Sequence, residues 1–363
     1  MPDSGGYLAG TAVVIERFRL FRRRRLAYLV CVAAALTASP AIACTPSATL
    51  SDDAGSVSPA AIAAGKVPPI KLNAGLTCPN SVLVLLGSNF VKGKLNSANS
   101  FKLKRGDGAT ISYTASADPA ATVPYAQNGT VDYMQNNLLD LLGLLSAGDA
   151  TLPIFIKPVG GATPAPGTYT DTVTMTWDWY ICQGIGALGL CVGTPLTGVA
   201  KKSVITVTLD VSVKTIVLSA TTRTTWDPVS GSGQPRAVPG SRRRLTVDAF
   251  NPDLVAIDAN SVAITVPLAR GEAVAFDGDG SGSSTVFALS DGSPASGLSL
   301  RYTAPNSTSD DVDFSKDNGA SWTFSPIPSD TASVAQITHV RLRPQGSMAA
   351  GSRVSLSVPT LNR

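Results

Sequence analysis

The sequence predicts an exported, all-β protein of two units, and three observations carry that prediction. Only 15% of its 363 residues are charged, and after residue 43 the sole glutamate is Glu272. Solvent-facing helices draw on Glu and Lys, whereas this chain is rich in the Val and Thr that pleated surfaces favour. Its 33 glycines and 25 prolines punctuate the text at turn-like intervals. Apolar residues recur with period two in several stretches, the mark of strands with one buried and one wet face.

The export prediction comes from the charge. The chain carries 29 Lys+Arg against 25 Asp+Glu, a formal charge of +4. Six of the basic residues, Arg17, Arg19 and Arg22 to Arg25, stand before an apolar run from Leu26 to Ala43 that ends Ala41-Ile42-Ala43, the pattern of a cleaved signal peptide. Met1 to Ile15 precede the basic segment, so translation could start downstream of Met1. Retention of the run as a membrane anchor is the alternative, and lipidation of Cys44 is another, since Ala41 to Cys44 loosely resembles a lipobox. Cleavage after Ala43 leaves 23 basic and 23 acidic residues. A neutral mature chain removes the charge-based case for a nucleic-acid partner, and only Arg242 to Arg244 remain as a basic cluster.

Cys31 leaves with the leader, and Cys44, Cys78, Cys182 and Cys191 form an even set in an exported chain. Two disulfides follow most simply. Three pairings are open; Cys44 with Cys78 and Cys182 with Cys191 is the favoured one, because the second pair closes a short loop between strands and the first ties the mature N-terminus to the next strand. Spacings of 34, 104 and 9, with His339 as the single histidine, do not make a zinc site.

The leader spans 1–43, the first unit 44–213 and the second 214–363, with no Gly/Ser or Pro linker between the two. In the first unit the clearest strand is Thr168 to Tyr180: Tyr169, Val173, Met175, Trp177 and Trp179 share one parity and five threonines the other. Ser203 to Val213 repeats the period, and Ser81 to Leu86, Ala109 to Ala115 and Leu152 to Pro158 are shorter candidates. Asn136 to Leu145 breaks it, with Leu138, Leu139, Leu141 and Leu142 in a run that reads as a buried crossover or as an exposed apolar loop. The segment between Cys182 and Cys191, with Ile185, Leu188 and Leu190, poses the same choice. In the second unit, strands are read at Leu245 to Ala249, Val262 to Leu268 and Val354 to Val358.

Cys44, the phrase Gly75-Leu76-Thr77-Cys78 and above all Pro166-Gly167-Thr168-Tyr169-Thr170-Asp171-Thr172-Val173-Thr174-Met175 make the first unit resemble the spore coat protein U family, the subunit fold of archaic (Csu-type) chaperone-usher fimbriae. Independently of any family, Gly167 permits a sharp entry into the strand, and Asp171, on the buried parity, needs hydrogen-bonding partners. The resemblance implies an immunoglobulin-like sandwich completed by a strand from another subunit. It implies as partners a periplasmic chaperone, an outer-membrane usher and neighbouring pilus subunits. The long Cys182 to Cys191 loop and the Leu138 to Leu145 run depart from a plain shaft subunit. With Cys44 as first mature residue, no extension remains to donate, which reads as a tip or terminal subunit. The second unit looks like the immunoglobulin-like repeat modules of bacterial surface proteins, in Asp227 to Gly231, Pro235 to Gly240 and Asn251. Two immunoglobulin-like β-sandwich domains in tandem are therefore expected.

Two motifs invite chemistry. Asp277, Asp279 and Ser281 match the first half of a calcium loop, but the twelfth position is Ala288, and the strand-like flanks 273–276 and 285–289 read as a hairpin. Ser315 to Trp322 matches an Asp-box, a structural turn in which the Asp317 carboxylate takes backbone N–H groups and Trp322 anchors the hairpin in the core. No nucleophile elbow, zinc helix or phosphate loop is present, and neither an enzyme nor a cofactor is expected. The function read is a fimbrial subunit that mediates attachment to an abiotic or host surface through its apolar loops, moving through the periplasm to the cell surface. The alternative is a free periplasmic or secreted structural or carbohydrate-binding protein.

Overall fold

The computed structural model describes residues 44–79, 89–135, 138, 149–182, 186–187, 190–191, 195–280 and 285–363. The leader and the strand candidate Ser81 to Leu86 lie outside them.

In chain order the strands are β1 (Thr45–Pro46), β2 (Thr49–Val57), β3 (Ile70–Pro79), β4 (Phe90–Ser97), β5 (Lys102–Lys104), β6 (Thr110–Ser116), β7 (Pro124–Tyr125), β8 (Thr130–Asp132), β9 (Asp149–Pro158), β10 (Gly167–Ile181), β11 (Gly186–Ala187), β12 (Leu190–Cys191) and β13 (Leu196–Val211). They continue with β14 (Val217–Trp226), β15 (Arg242–Phe250), β16 (Ile264–Pro267), β17 (Glu272–Val274), β18 (Ala288–Asp291), β19 (Val312–Ser315), β20 (His339–Leu342) and β21 (Arg353–Asn362). Two helices, α1 (Pro59–Ala63) and α2 (Thr331–Ala335), stand among the described elements as single turns capped by Ser58 and Asp330. The all-β prediction holds.

β10 is the spine of the first sandwich. Its even positions are outward threonines, Asp178 and Tyr180, and its odd positions from Tyr169 to Ile181 are buried, as the alternation requires. It pairs antiparallel with β13 on one side and with β4 and β5 on the other. β6 pairs with β5 in this sheet and with β9 in the facing one, so a single strand belongs to both layers. The facing sheet runs β1, β3, β9, β6, β7. Tyr133, Tyr169, Trp177, Leu95 and Ile154 fill the space between.

The outer side of β13 is not bare. β2 of the same chain lies along it in parallel, from Thr49 opposite Val204 to Val57 opposite Val211. Both disulfides form in the favoured pairing, Cys44 to Cys78 and Cys182 to Cys191.

A second core is built by β14 to β21. One sheet runs β14, β15, β21, with β17 and β18 both on the far side of β21; the other runs β16, β20, β19. The hairpin expected around Asp277 is therefore corrected: the flanking strands pair with successive stretches of β21 and not with each other. Phe314 on β19 packs against Phe276 and Phe287, which sets β19 under the β17/β18 side. At the opposite end, the residues of β14 that pair with the inward-facing Ala249, Val247 and Leu245 are Leu218, Ala220 and Thr222. All three are exposed, Leu218 to 54%. The inner face of β14 is uncovered.

The two cores touch through few groups. Ser58 Oγ caps α1 by accepting from the Ala61 amide and donates to Asp253 Oδ1 at 2.7 Å, Val255 packs on the first core, and Lys214 Nζ donates to Ser56 Oγ at 2.8 Å.

Candidate functional site

The framework of the first unit brings several segment ends together. Pro79 faces Asp149, and Phe90 faces Tyr180, itself opposite Thr197. The Asn89 side chain accepts from the Cys182 amide at 2.8 Å, and the Tyr133 amide donates to the Val91 carbonyl. One end of the sandwich thus carries the departure points of 80–88, 136–148 and 183–194. Leu139, Leu141, Leu142, Ile185 and Leu188 fall outside the described residues, as does the side chain of Leu190. Leu138 is a correction: it is 1% exposed and belongs to the core beneath this end. Its amide closes a turn on the Gln135 carbonyl, which turns the side chain inward and makes Leu138 an anchor and not a contact residue.

Below lies the aromatic column. Trp177 and Trp179 are both buried, and a Cβ on Gly93 or Gly198 would collide with their indoles. Gly198→Val should force Trp179 out of its slot and cost about 3 kcal/mol, the upper range for overpacking. A fall in the urea midpoint with retained far-UV circular dichroism would register it.

At the other end of β10 sits the charge that the sequence flagged. Asp171 is 2% exposed and accepts from Ser97 Oγ at 2.6 Å, Tyr113 Oη at 2.7 Å, and the amides of Asn99 and Thr172. Burial, followed by the Asp171 carboxylate, pushes the Tyr113 phenol upward, so it stays a donor. Ser97 Oγ also accepts from the Phe101 amide. This is a structural knot binding β4, β6 and β10. It offers no open position to a substrate.

In the second unit the calcium reading is corrected for Asp277 and Asp279. Arg242 holds both oxygens of Asp277, at 3.1 and 2.6 Å; Arg244 holds Asp279 at 2.6 Å; and Arg243 pairs with Glu272. The cation the carboxylates need is supplied by β15, and Ser281 lies outside the described residues. The same pairs answer the Arg242 to Arg244 cluster, whose charge is matched within the chain.

The Asp-box is present as a turn. Asp317 accepts from Ser315 Oγ at 2.6 Å, Ser321 Oγ at 2.5 Å and the Ser321 amide at 2.9 Å, while Asn318 and Gly319 take positive φ. Trp322 differs from expectation: it is half-buried and lies under Arg341, whose guanidinium is 4.6 Å from the ring centroid. It anchors through a cation–π contact, and the core position is taken by Phe314. His339 is half-buried at the start of β20, with Nδ1 lacking a hydrogen bond among the described residues.

These turns predict acid sensitivity. Hydrogen bonds from Ser315 and Ser321 pull the Asp317 carboxyl down, and the amides of Ser230, Arg236 and Val229 do the same to Asp227. A carboxyl whose folded value is depressed contributes stability above its unfolded value, about 3.9, and that stability is lost as pH falls through the folded value. The urea midpoint of the second unit should hold flat from pH 7 to about 5 and fall below about 4. Asp317→Asn should flatten the fall.

Fold and site together define a disulfide-tied, all-β protein of immunoglobulin-like sandwiches. Residues 29–176 match the family model of the Spore Coat Protein U domain. Among solved structures, the chain is similar to the CsuC–CsuE chaperone–tip adhesion subunit pre-assembly complex from archaic chaperone-usher Csu pili of Acinetobacter baumannii, at 13% identity and TM-score 0.40, covering 86% of this chain and 99% of that one. It is also similar to the CooA pilin subunit of enterotoxigenic Escherichia coli, at 14% identity and TM-score 0.25, covering 48% and 99%. No curated protein matches.

Proposed function

We propose that the chain is a fimbrial subunit of the chaperone-usher kind, exported through its leader, terminal in the fibre, and attached to surfaces by apolar segments of the first unit, 44–213. A strand from a neighbouring subunit or a periplasmic chaperone would complete the second unit, 214–363. The observation that carries the reading is the uncovered inner face of β14, with Leu218 and Ala220 exposed, in a unit whose β16 pairs with β20 alone among the described residues. A four-position sheet there faces a three-stranded one, and one added strand beside β16 closes the sandwich. In the first unit β2 already lines β13, so the added strand is assigned to the second unit. The attachment end follows from the shared departure points of 80–88, 136–148 and 183–194, whose sequences hold Val82 to Leu86, Leu139 to Leu145 and Ile185 to Leu190.

Purification from envelope extracts tests assembly: the chain should co-migrate with high-mass fibres that release it only on denaturation. A fully folded, monomeric chain with no fibre and no chaperone would sink the reading. Leu188→Ser with Leu190→Ser should lower attachment to polystyrene several-fold and leave fibre yield unchanged; equal attachment discards the apolar-loop idea.

A further inference from the structure

The outer face of the β10 sheet carries a polar surface to which the fimbrial reading gives no role. Alternation puts Thr172, Thr174, Thr176, Asp178 and Tyr180 of β10 on it, all half-buried. Register then sets Lys94 of β4 and Lys202 of β13 on either side of Thr176, Asn96 and Val204 on either side of Thr174, and Lys92 beside Asp178. Lys94 and Lys202 are thus two strand spacings apart, about 9.5 Å, with a hydroxyl between them. Lys92, Lys94 and Lys202, with the adjoining Lys201, are exposed, and none is in an ion pair among the described residues. Two carboxylates, Asp178 and Asp132, flank Lys92 in register. One oxygen of each is engaged by main chain: Asp132 Oδ1 accepts from the Val91 and Met134 amides, and Asp178 Oδ1 from the Ala200 amide. At the end of the surface Phe90 stacks on Tyr180, centroids 6.1 Å apart, and Lys92 Nζ lies 4.6 Å from the Phe90 centroid. The second unit meets the first at Ser56 and Ser58, beside the opposite end of β10, and leaves these side chains in solvent.

We infer that this face binds an acidic polysaccharide, an extended glycan with a carboxylate on alternate sugars, laid across β4, β10 and β13. Charge complementarity selects the anion, since Lys94 and Lys202 can take two carboxylates of one chain on either side of Thr176. The Thr174 and Thr176 hydroxyls and the second oxygen of Asp178 offer a sugar its donors and acceptors. Tyr180 presents a ring face to the C–H side of a pyranose. An acidic peptide or an anionic bilayer would meet Asp132 and Asp178 as repulsion alone, whereas a glycan hydroxyl donates to them. Each exposed charge contact is weak by itself, so affinity comes from several sugars held at once. The inference stands apart from the fimbrial reading, since it uses neither β14 nor the segments 80–88, 136–148 and 183–194.

The test uses the full exported chain purified from envelope extracts and a fluorescein-labelled hyaluronan oligosaccharide, read by polarisation. Saturable binding that weakens as salt rises is expected. Lys94→Glu with Lys202→Glu, both at exposed positions, should weaken it about tenfold at unchanged melting temperature. Tyr180→Thr should weaken it about threefold and leave the salt dependence as it was. A neutral chito-oligosaccharide of the same length and polyglutamate of the same charge should each bind about tenfold more weakly than hyaluronan. Absence of saturable hyaluronan binding, binding indifferent to either substitution, or equal binding of polyglutamate or of phosphatidylglycerol vesicles overturns the site, whatever the fibre assays report.

Discussion

Asp171→Ala is expected to destabilise the first unit by about 3–5 kcal/mol, the range for stripping one partner from a buried, hydrogen-bonded charge. The loss is large because four donors converge on one carboxylate: without it, Ser97 Oγ and Tyr113 Oη are left in a dry interior, each at a desolvation cost of about 1–3 kcal/mol. For a unit of this size the melting temperature should drop by about 6–15 °C. Asp171→Asn keeps the shape but turns one acceptor into a donor that faces donors, so it should recover little. Separate melting of the two units by calorimetry would show the effect confined to one transition. Full stability in the alanine variant would mean that the carboxylate knot is ornamental.

The second large effect is expected at the Cys44–Cys78 link. It closes 34 residues of sequence, and the loop-entropy relation gives about 3–4 kcal/mol for a ring of that length. The link also pins the start of β1 against β3, where Thr45 faces Thr77 and Pro46 faces Leu76, so its removal frees the register of the chain entering β2. Cys44→Ser with Cys78→Ser should lower the urea midpoint by about 2 M for m near 2 kcal/mol/M. The Cys182–Cys191 ring closes only 9 residues, and its double serine variant should cost clearly less. Equal losses from the two would show that strain or local packing, and not ring size, governs both.

Much of the fold was legible because strand periodicity survives translation into burial. β10, β15 and β21 stand where alternating residues put them, and the parity of Tyr169 to Trp179 told which side was dry. Asp171 was legible for the same reason, since a carboxylate on the apolar parity must find donors. Pairing partners were not legible. Nothing local in Ala273 to Phe276 says that its ladder is with β21 and not with the strand after the Asp277 turn, because both partners offer the same main chain. Arg242 to Arg244 hid their role likewise: their carboxylates lie about 30 residues away in sequence and meet them only across the sheet. Leu138 misled through composition, since a leucine run reads the same whether its first member faces in or out.

The parallel seating of β2 beside β13 has a mechanical consequence. Tension entering near Cys44 and leaving toward the second unit pulls β2 and β13 from opposite ends of one ladder. Such a load shears the paired positions from Thr49 to Val57 together, where an antiparallel hairpin pulled at its open end would unzip them one by one. Rupture of the first unit should therefore appear in single-molecule stretching as one abrupt, high-force event.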